Sequence, residues 1–109
     1  MADVKPYLEK MVARFDDPKV QTSLKGFTKT LLFHFNDTNE DYAIHTVDGT
    51  SATLAKETPE KPDVTITTTT DILCGIMDKK VNGMTAYMQR KIQTKGNMED
   101  MMKLQKIMM

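Results

Sequence analysis

The sequence has no tryptophan, one cysteine, five glycines, four prolines and no net charge across its 109 residues. A single cysteine, Cys74, has no partner for an internal disulfide, so a reducing, cytoplasmic setting is the expectation. Fifteen Lys and Arg balance fifteen Asp and Glu, which argues against nucleic acid as a partner, because that affinity normally rests on a basic surface. Apolar runs stop after a few residues, far short of the roughly 20 a membrane-spanning helix needs. No charged-then-apolar leader opens the chain. The scattered glycines form no phosphate-cradling loop, and Ser23 and Ser51 lack the Gly-x-Ser-x-Gly elbow. With no internal repeat or linker, the expectation is one domain over residues 1–109, without cofactor, metal or catalytic residue.

What the chain does have is methionine, ten residues against four Phe and three Tyr. Eight of them (Met77, Met84, Met88, Met98, Met101, Met102, Met108 and Met109) fall in the last third. Charge is divided along the same line: residues 1–73 carry net −4 and residues 74–109 net +4. Methionine is unbranched and polarisable, so it fills irregular space and adapts to several shapes. The cluster therefore admits two readings: a malleable core over a sheet, or a wall that repacks around an apolar guest. A Met-rich terminal helix can also serve as a docking face.

The apolar periodicity places the elements. Val4, Tyr7, Leu8, Met11, Val12 and Phe15 recur at helical spacing, with Asp3 as cap and Pro6 in the first turn. Pro18 starts a second short helix with Val20, Leu24 and Phe27 inward, and Gly26 suits its end. The period then becomes two: Leu31, Phe33 and Phe35 share one face of a strand, and Tyr42, Ile44 and Thr46 one face of the next. Asp48-Gly49 signals a type I′ hairpin. Residues 51–56 form a weaker strand, and Val64, Ile66 and Thr68 face inward on a fourth. The run Thr67–Thr70 is β-favouring but polar, and is expected to fray toward solvent. Helical spacing returns with Ile72, Leu73, Ile76 and Met77. After Asn82-Gly83, Met84, Tyr87 and Met88 begin another short helix. Lys91–Lys95 reads as a polar fifth strand. Asn97 caps a last helix with Glu99 and Asp100 in its first turn, where the dipole favours them, and Met98, Met101, Met102, Leu104, Ile107, Met108 and Met109 on its apolar side. The fold class is α+β: a single five-stranded, mostly antiparallel sheet with helices covering one face.

Few residues carry recognisable chemistry. His34 and His45 fall in neighbouring strands and share a site only if the strand register brings them together, and a metal would need a third ligand. Cys74, on or near an apolar helical stripe with no base at motif spacing, reads as a small core residue rather than a nucleophile.

From Pro62 onward the wording resembles a known family. Pro62-Asp63-Val64-Thr65-Ile66-Thr67, then Asn82, Ala86-Tyr87-Met88 and Lys91-Ile92, and then Lys95-Gly96-Asn97-Met98 with Met102-Lys103-Leu104-Gln105 are similar, in order and spacing, to the sterol carrier protein 2 lipid-transfer family. Leu24-Lys25-Gly26-Phe27 and the hairpins fit the same order. Gly83 stands where the family commonly has Pro, Arg90 where Gly is frequent, and Met101 where a small residue is usual. The resemblance implies a non-enzymatic module that holds a sterol, fatty acid, fatty acyl-CoA or isoprenoid in a tunnel between sheet and helices. On that reading the expected wall is Phe33, Phe35, Ile44, Ile76, Met77, Tyr87, Met88, Met98, Met101 and Met102, with Met101 narrowing the tunnel. Lys79, Lys80, Arg90 and Lys91 are candidates to meet a carboxylate, a phosphate or an anionic membrane, or simply form a solvated face. The alternative is an accessory subunit, some relatives handling isoprenoid quinones, whose Met-rich last helix docks on an enzyme or makes a homodimer of the monomer.

Overall fold

The computed structural model describes residues 3–108. The side-chain stripe expected of Leu104, Ile107, Met108 and Met109 lies outside what it describes. Five strands, β1 (Thr30–Phe35), β2 (Glu40–Val47), β3 (Ser51–Ala55), β4 (Val64–Thr68) and β5 (Gln93–Gly96), form one sheet in the order β3-β2-β1-β4-β5. All pairs are antiparallel except β1 with β4. Helices α1 (Lys5–Ala13), α2 (Pro18–Ser23), α3 (Thr70–Met77), α4 (Gly83–Met88) and α5 (Met98–Met108) complete the fold, with a 3₁₀ turn at Arg14–Asp16.

Alternation decides which face is buried. Leu31, Phe33 and Phe35 of β1 are fully buried, with Ile44 opposite Leu31 across β2 and Ile66 beside Phe33 on β4. Leu8, Met11, Phe15, Leu24 and Phe27 of the N-terminal helical layer join them in one core with Leu73, Ile76 and Ala86. The Asp48-Gly49 turn has positive φ at both residues, 55° and 69°, as a type I′ hairpin requires. A Cβ on Gly49 would lie 2.0 Å from the Leu24 carbonyl oxygen, so the turn also fixes the end of α2 against the hairpin.

Two expectations need correction. The threonine run does not fray: Thr68 and Thr70 are buried. The Thr68 hydroxyl donates to the Lys91 carbonyl at 2.9 Å, and the Thr70 backbone N–H and hydroxyl both donate to the Asp37 carboxylate. Partners 23 and 33 residues away make these polar positions interior. The fifth strand also starts two residues later than Lys91, because Lys91 closes the end of α4, its N–H bonding the Ala86 carbonyl at 2.9 Å.

That helix end and the end of α3 share one design. The Arg90 N–H bonds the Tyr87 carbonyl while Lys91 reaches Ala86; the Lys79 N–H bonds Ile76 while Lys80 reaches Gly75. Both are Schellman motifs, which place their pivot residue in the left-handed region. The pivots are Lys79 (φ 62°) and Arg90 (φ 61°) rather than glycine. A side chain there costs about 1–2 kcal/mol, and the entropy glycine loses on folding offsets about 0.5–1 of it. Gly83 presents the converse case. It opens α4 behind Asn82, whose extended backbone (φ −77°, ψ 121°) suits a following proline.

Two outcomes follow. Arg90→Gly and Gly83→Pro are each expected to raise stability by about 0.5–1 kcal/mol, seen as a higher urea midpoint at unchanged slope; a lower midpoint for Arg90→Gly would show that its side chain stabilises the cap. At Asp37, desolvation pushes the carboxyl up, but the bonds from Thr70 together with the backbone N–H groups of Asp37 and Thr38 outweigh it and leave the pKa below the ordinary value. A folded pKa below the unfolded one stabilises above about pH 4, and the contribution fades as pH falls through the folded value. Thr70→Val should therefore cost about 1 kcal/mol near neutrality and less at about pH 3.

Candidate functional site

The helical cover is complete over the centre of the sheet and open at its β4–β5 end. There a cavity of about 900 Å³ lies between the sheet edge and α3, α4 and α5, within the range of small-molecule sites. Its floor is Ile66 of β4 with Thr94 opposite on β5 and Ile92 just before it. Ile76 and Met77 descend from α3, Met84 and Tyr87 stand on α4, and Met98, Met101 and Met102 come from α5. The last three sit at i, i+3 and i+4, which is one helix face.

Local capping positions this frame. The Thr69 hydroxyl accepts the Ile72 N–H at the start of α3, Asn82 Oδ1 the Thr85 N–H of α4, and Asn97 Oδ1 the Glu99 N–H of α5. Asp100 is buried and holds Lys29 Nζ at 3.6 Å, tying α5 to the segment before β1. Gly75 lets the loop after α3 approach, since a Cβ there would meet Val81 Cγ2 at 2.6 Å, and Val81 lines the cavity. The Tyr7 hydroxyl donates to Asp78 Oδ2 at 2.7 Å, joining α1 to the end of α3. That bond, more than burial, pushes the Tyr7 pKa up to about 12.

Ile76, Met77, Tyr87, Met98, Met101 and Met102 lie around the cavity. Phe33, Phe35 and Ile44 do not: they are fully buried in the core. Their strands are central in the sheet, where the N-terminal helical layer has filled the space. Met88 is 75% exposed and is not among the residues that line the cavity, since on α4 it lies one position, about a quarter turn, beyond Tyr87. Lys79 and Lys80 border the cavity, whereas Arg90 and Lys91 do not. Sequence reasoning missed Ile66, Val81, Met84, Ile92 and Thr94. Met84 belonged to the methionine cluster already noted, and Ile92 was the one apolar residue in a polar stretch. The places of Ile66 and Thr94 depend on strand order.

The wall is soft and wet at its rim. Met84 is 60%, Met98 72%, Met102 62% and Tyr87 52% exposed, so large apolar side chains face solvent around one concavity, an arrangement that marks interaction sites. Met101 is half-buried and packs against the core below them.

The other groups considered for chemistry lie elsewhere. His34 and His45 share the outer face of the sheet, on the side opposite the inward-facing Phe33 and Ile44. His34 stands opposite Asp41 and His45 opposite Thr30, four positions along β1, or about 13 Å. Each has its own carboxylate: His34 Nδ1 bonds Asp41, whose other oxygen accepts the Thr58 hydroxyl at 2.7 Å, and His45 Nε2 bonds Glu57. They do not form one site. Among the described residues no group of three or more His, Cys, Asp or Glu is placed to hold a metal. Cys74 is buried, and burial pushes its thiol pKa up, the reverse of what a nucleophile needs. Among the described residues no helix is long and apolar enough to cross a membrane.

Comparison with solved structures places this architecture. A double mutant of the sec-alkyl sulfatase PisA1, an enzyme of Pseudomonas sp., matches with a TM-score of 0.81 and 21% identity over 97% of this chain but only 16% of its own. The chain thus spans a small part of that enzyme. The sterol carrier protein domain 2 of Helicoverpa armigera matches at TM-score 0.74 and 23% identity, over 96% of this chain and 84% of that one. Palmitated SCP2L2 from Aedes aegypti matches at 0.75 and 17%, over 98% and 95%. No curated protein sequence matches the chain. Residues 8–109 match the SCP-2 sterol transfer family, and with that match over nearly its whole length the chain belongs to this family.

Proposed function

We propose that this protein is a non-enzymatic carrier that binds one acyl-chain lipid, a fatty acid or its derivative, in the cleft between the β4–β5 edge and the Met-rich helices. The observation that carries the reading is the open, mainly apolar cavity of about 900 Å³ with methionines around its rim. Membership of a sterol-transfer family supports it, and so does the palmitated state of SCP2L2.

The physics favours a flexible chain over a rigid one. Removing methylenes from water is worth roughly 0.8 kcal/mol each, so about fifteen of them supply about 12 kcal/mol, of which an immobilisation cost of about 4 kcal/mol leaves about 8. That margin allows micromolar binding without a single specific hydrogen bond. Met101 adds bulk at the base of the cleft, and unbranched methionines can fold around a narrow chain more readily than around a fused-ring body. Lys79 and Lys80 at the border offer positive charge to an acyl carboxylate or to an anionic membrane surface during loading.

The test is titration with a fluorescent fatty-acid analogue and with the matching uncharged fatty alcohol. Both should bind at micromolar concentration. Met102→Glu, at an exposed position that leaves folding intact, should weaken the alcohol about tenfold. The acid should exceed the alcohol by up to about fivefold, a margin set by exposed charge pairs and lost in the Lys79→Gln, Lys80→Gln double variant or at high salt. Absence of binding for every acyl and isoprenoid probe by folded protein would sink the proposal. Concentration-dependent dimerisation on size-exclusion chromatography, without probe binding, would favour the docking role of α5 instead.

A further inference from the structure

Five thioethers surround one cavity: Met77, Met84, Met98, Met101 and Met102. Three of these, Met84, Met98 and Met102, are 60–72% exposed. The cavity lining holds one aromatic residue, Tyr87, and no cysteine. The protein's single thiol, on Cys74, is buried with a raised pKa and is poorly placed to react first. An exposed thioether is oxidised without first losing a proton, so its reactivity follows access alone.

We infer that this methionine rim is an oxidative modification site, at which hydroperoxides convert the cleft from an apolar to a polar wall and so release its ligand. The inference rests on the reading of the cleft as a lipid site. In the reaction the thioether sulfur attacks one oxygen of the peroxide, the O–O bond breaks and an S–O bond forms. Sulfur loses two electrons and becomes a sulfoxide; the proton of the transferred oxygen passes to the other peroxide oxygen, which gains the electrons and leaves as water, or as an alcohol when the oxidant is a lipid hydroperoxide. Each event replaces a soft apolar group by a strong dipole with an acceptor oxygen. An acyl chain offers that oxygen no donor, so seating the chain then requires stripping water from the sulfoxides. Repair is available in principle, since methionine sulfoxide is reducible enzymatically. Position separates the rim from other methionines: Met11 is fully buried, and Met88 is exposed but outside the cavity.

The experiment treats the whole protein with hydrogen peroxide, maps sulfoxides by peptide mass spectrometry, and titrates the uncharged fatty-alcohol probe before and after. Met84, Met98 and Met102 should oxidise together with Met88 and ahead of Met11, and affinity should fall at least about tenfold while circular dichroism stays unchanged. Methionine sulfoxide reductases of both epimer specificities should restore it. The Met84→Leu, Met98→Leu, Met102→Leu triple variant should keep its own starting affinity through the treatment, whereas Met88→Leu should respond as the unmodified sequence does. Binding that survives full oxidation of the rim, or an equal loss in the triple variant, overturns the inference and leaves the carrier reading intact. A probe that fails to bind the untreated protein overturns both.

Discussion

The inner face of β1 is the contact on which the rest of the structure depends. Leu31, Phe33 and Phe35 are fully buried between an antiparallel neighbour on one side and a parallel one on the other. A parallel neighbour needs a long return path, and here β2, β3 and the following loop supply it. The return is pinned at both ends of β1: the Asp63 N–H bonds the Thr30 carbonyl at 2.9 Å, and the Asn36 N–H bonds the Thr68 carbonyl at 3.1 Å. Asp37, one residue further, then clamps Thr70 at the start of α3. The loop after β1 thus sets where the helices of the second half begin, and the cavity is bounded by those helices.

From this follows the asymmetry of the core. The N-terminal layer brings branched and aromatic side chains, among them Leu8, Phe15, Leu24 and Phe27, over the centre of the sheet and seals it. Over β4 and β5 the cover consists of α4, which is a short helix, the end of α3 and one face of α5. β5 offers only Thr94 inward beside Ile66. Of the eight methionines in the last third of the chain, Met77, Met84, Met98, Met101 and Met102 stand around this end, where several rotatable bonds let them conform to its irregular shape. The zero net charge conceals a related division, because Lys79 and Lys80 of the basic part border the opening.

Local signals were legible in the sequence and long-range ones were not. The alternation of Leu31, Phe33 and Phe35, the Asp48-Gly49 turn and the cap at Asn97 each follow from interactions within a few residues, and each is present. The common face of Met98, Met101 and Met102 was legible from helical spacing alone. The burial of Thr68 and Thr70 was not, since it depends on Lys91 and Asp37, which lie far off in sequence. The same limit misplaced Phe33, Phe35 and Ile44: alternation shows that they face inward, but only the strand order shows that inward there means core and not cavity. Met88 was misplaced for the opposite reason, because composition groups it with methionines from which its position on α4 separates it.

A Schellman pivot is most stable as glycine. This chain puts cations at both pivots and accepts left-handed backbone at each. The two positions differ in what surrounds them: Arg90 lies away from the cavity, while Lys79 borders it with Lys80 beside it. Strain that brings no contact is simply a cost, whereas strain that fixes a charged side chain at a rim can be retained for function. At Lys79 the pivot geometry holds the backbone so that the following turn carries Val81 into the cavity wall, close against Gly75. The same turn therefore shapes the apolar wall and sets positive charge at its edge. A glycine at 79 would keep the turn and lose the charge, so backbone stability and positive charge at the cavity edge pull in opposite directions there.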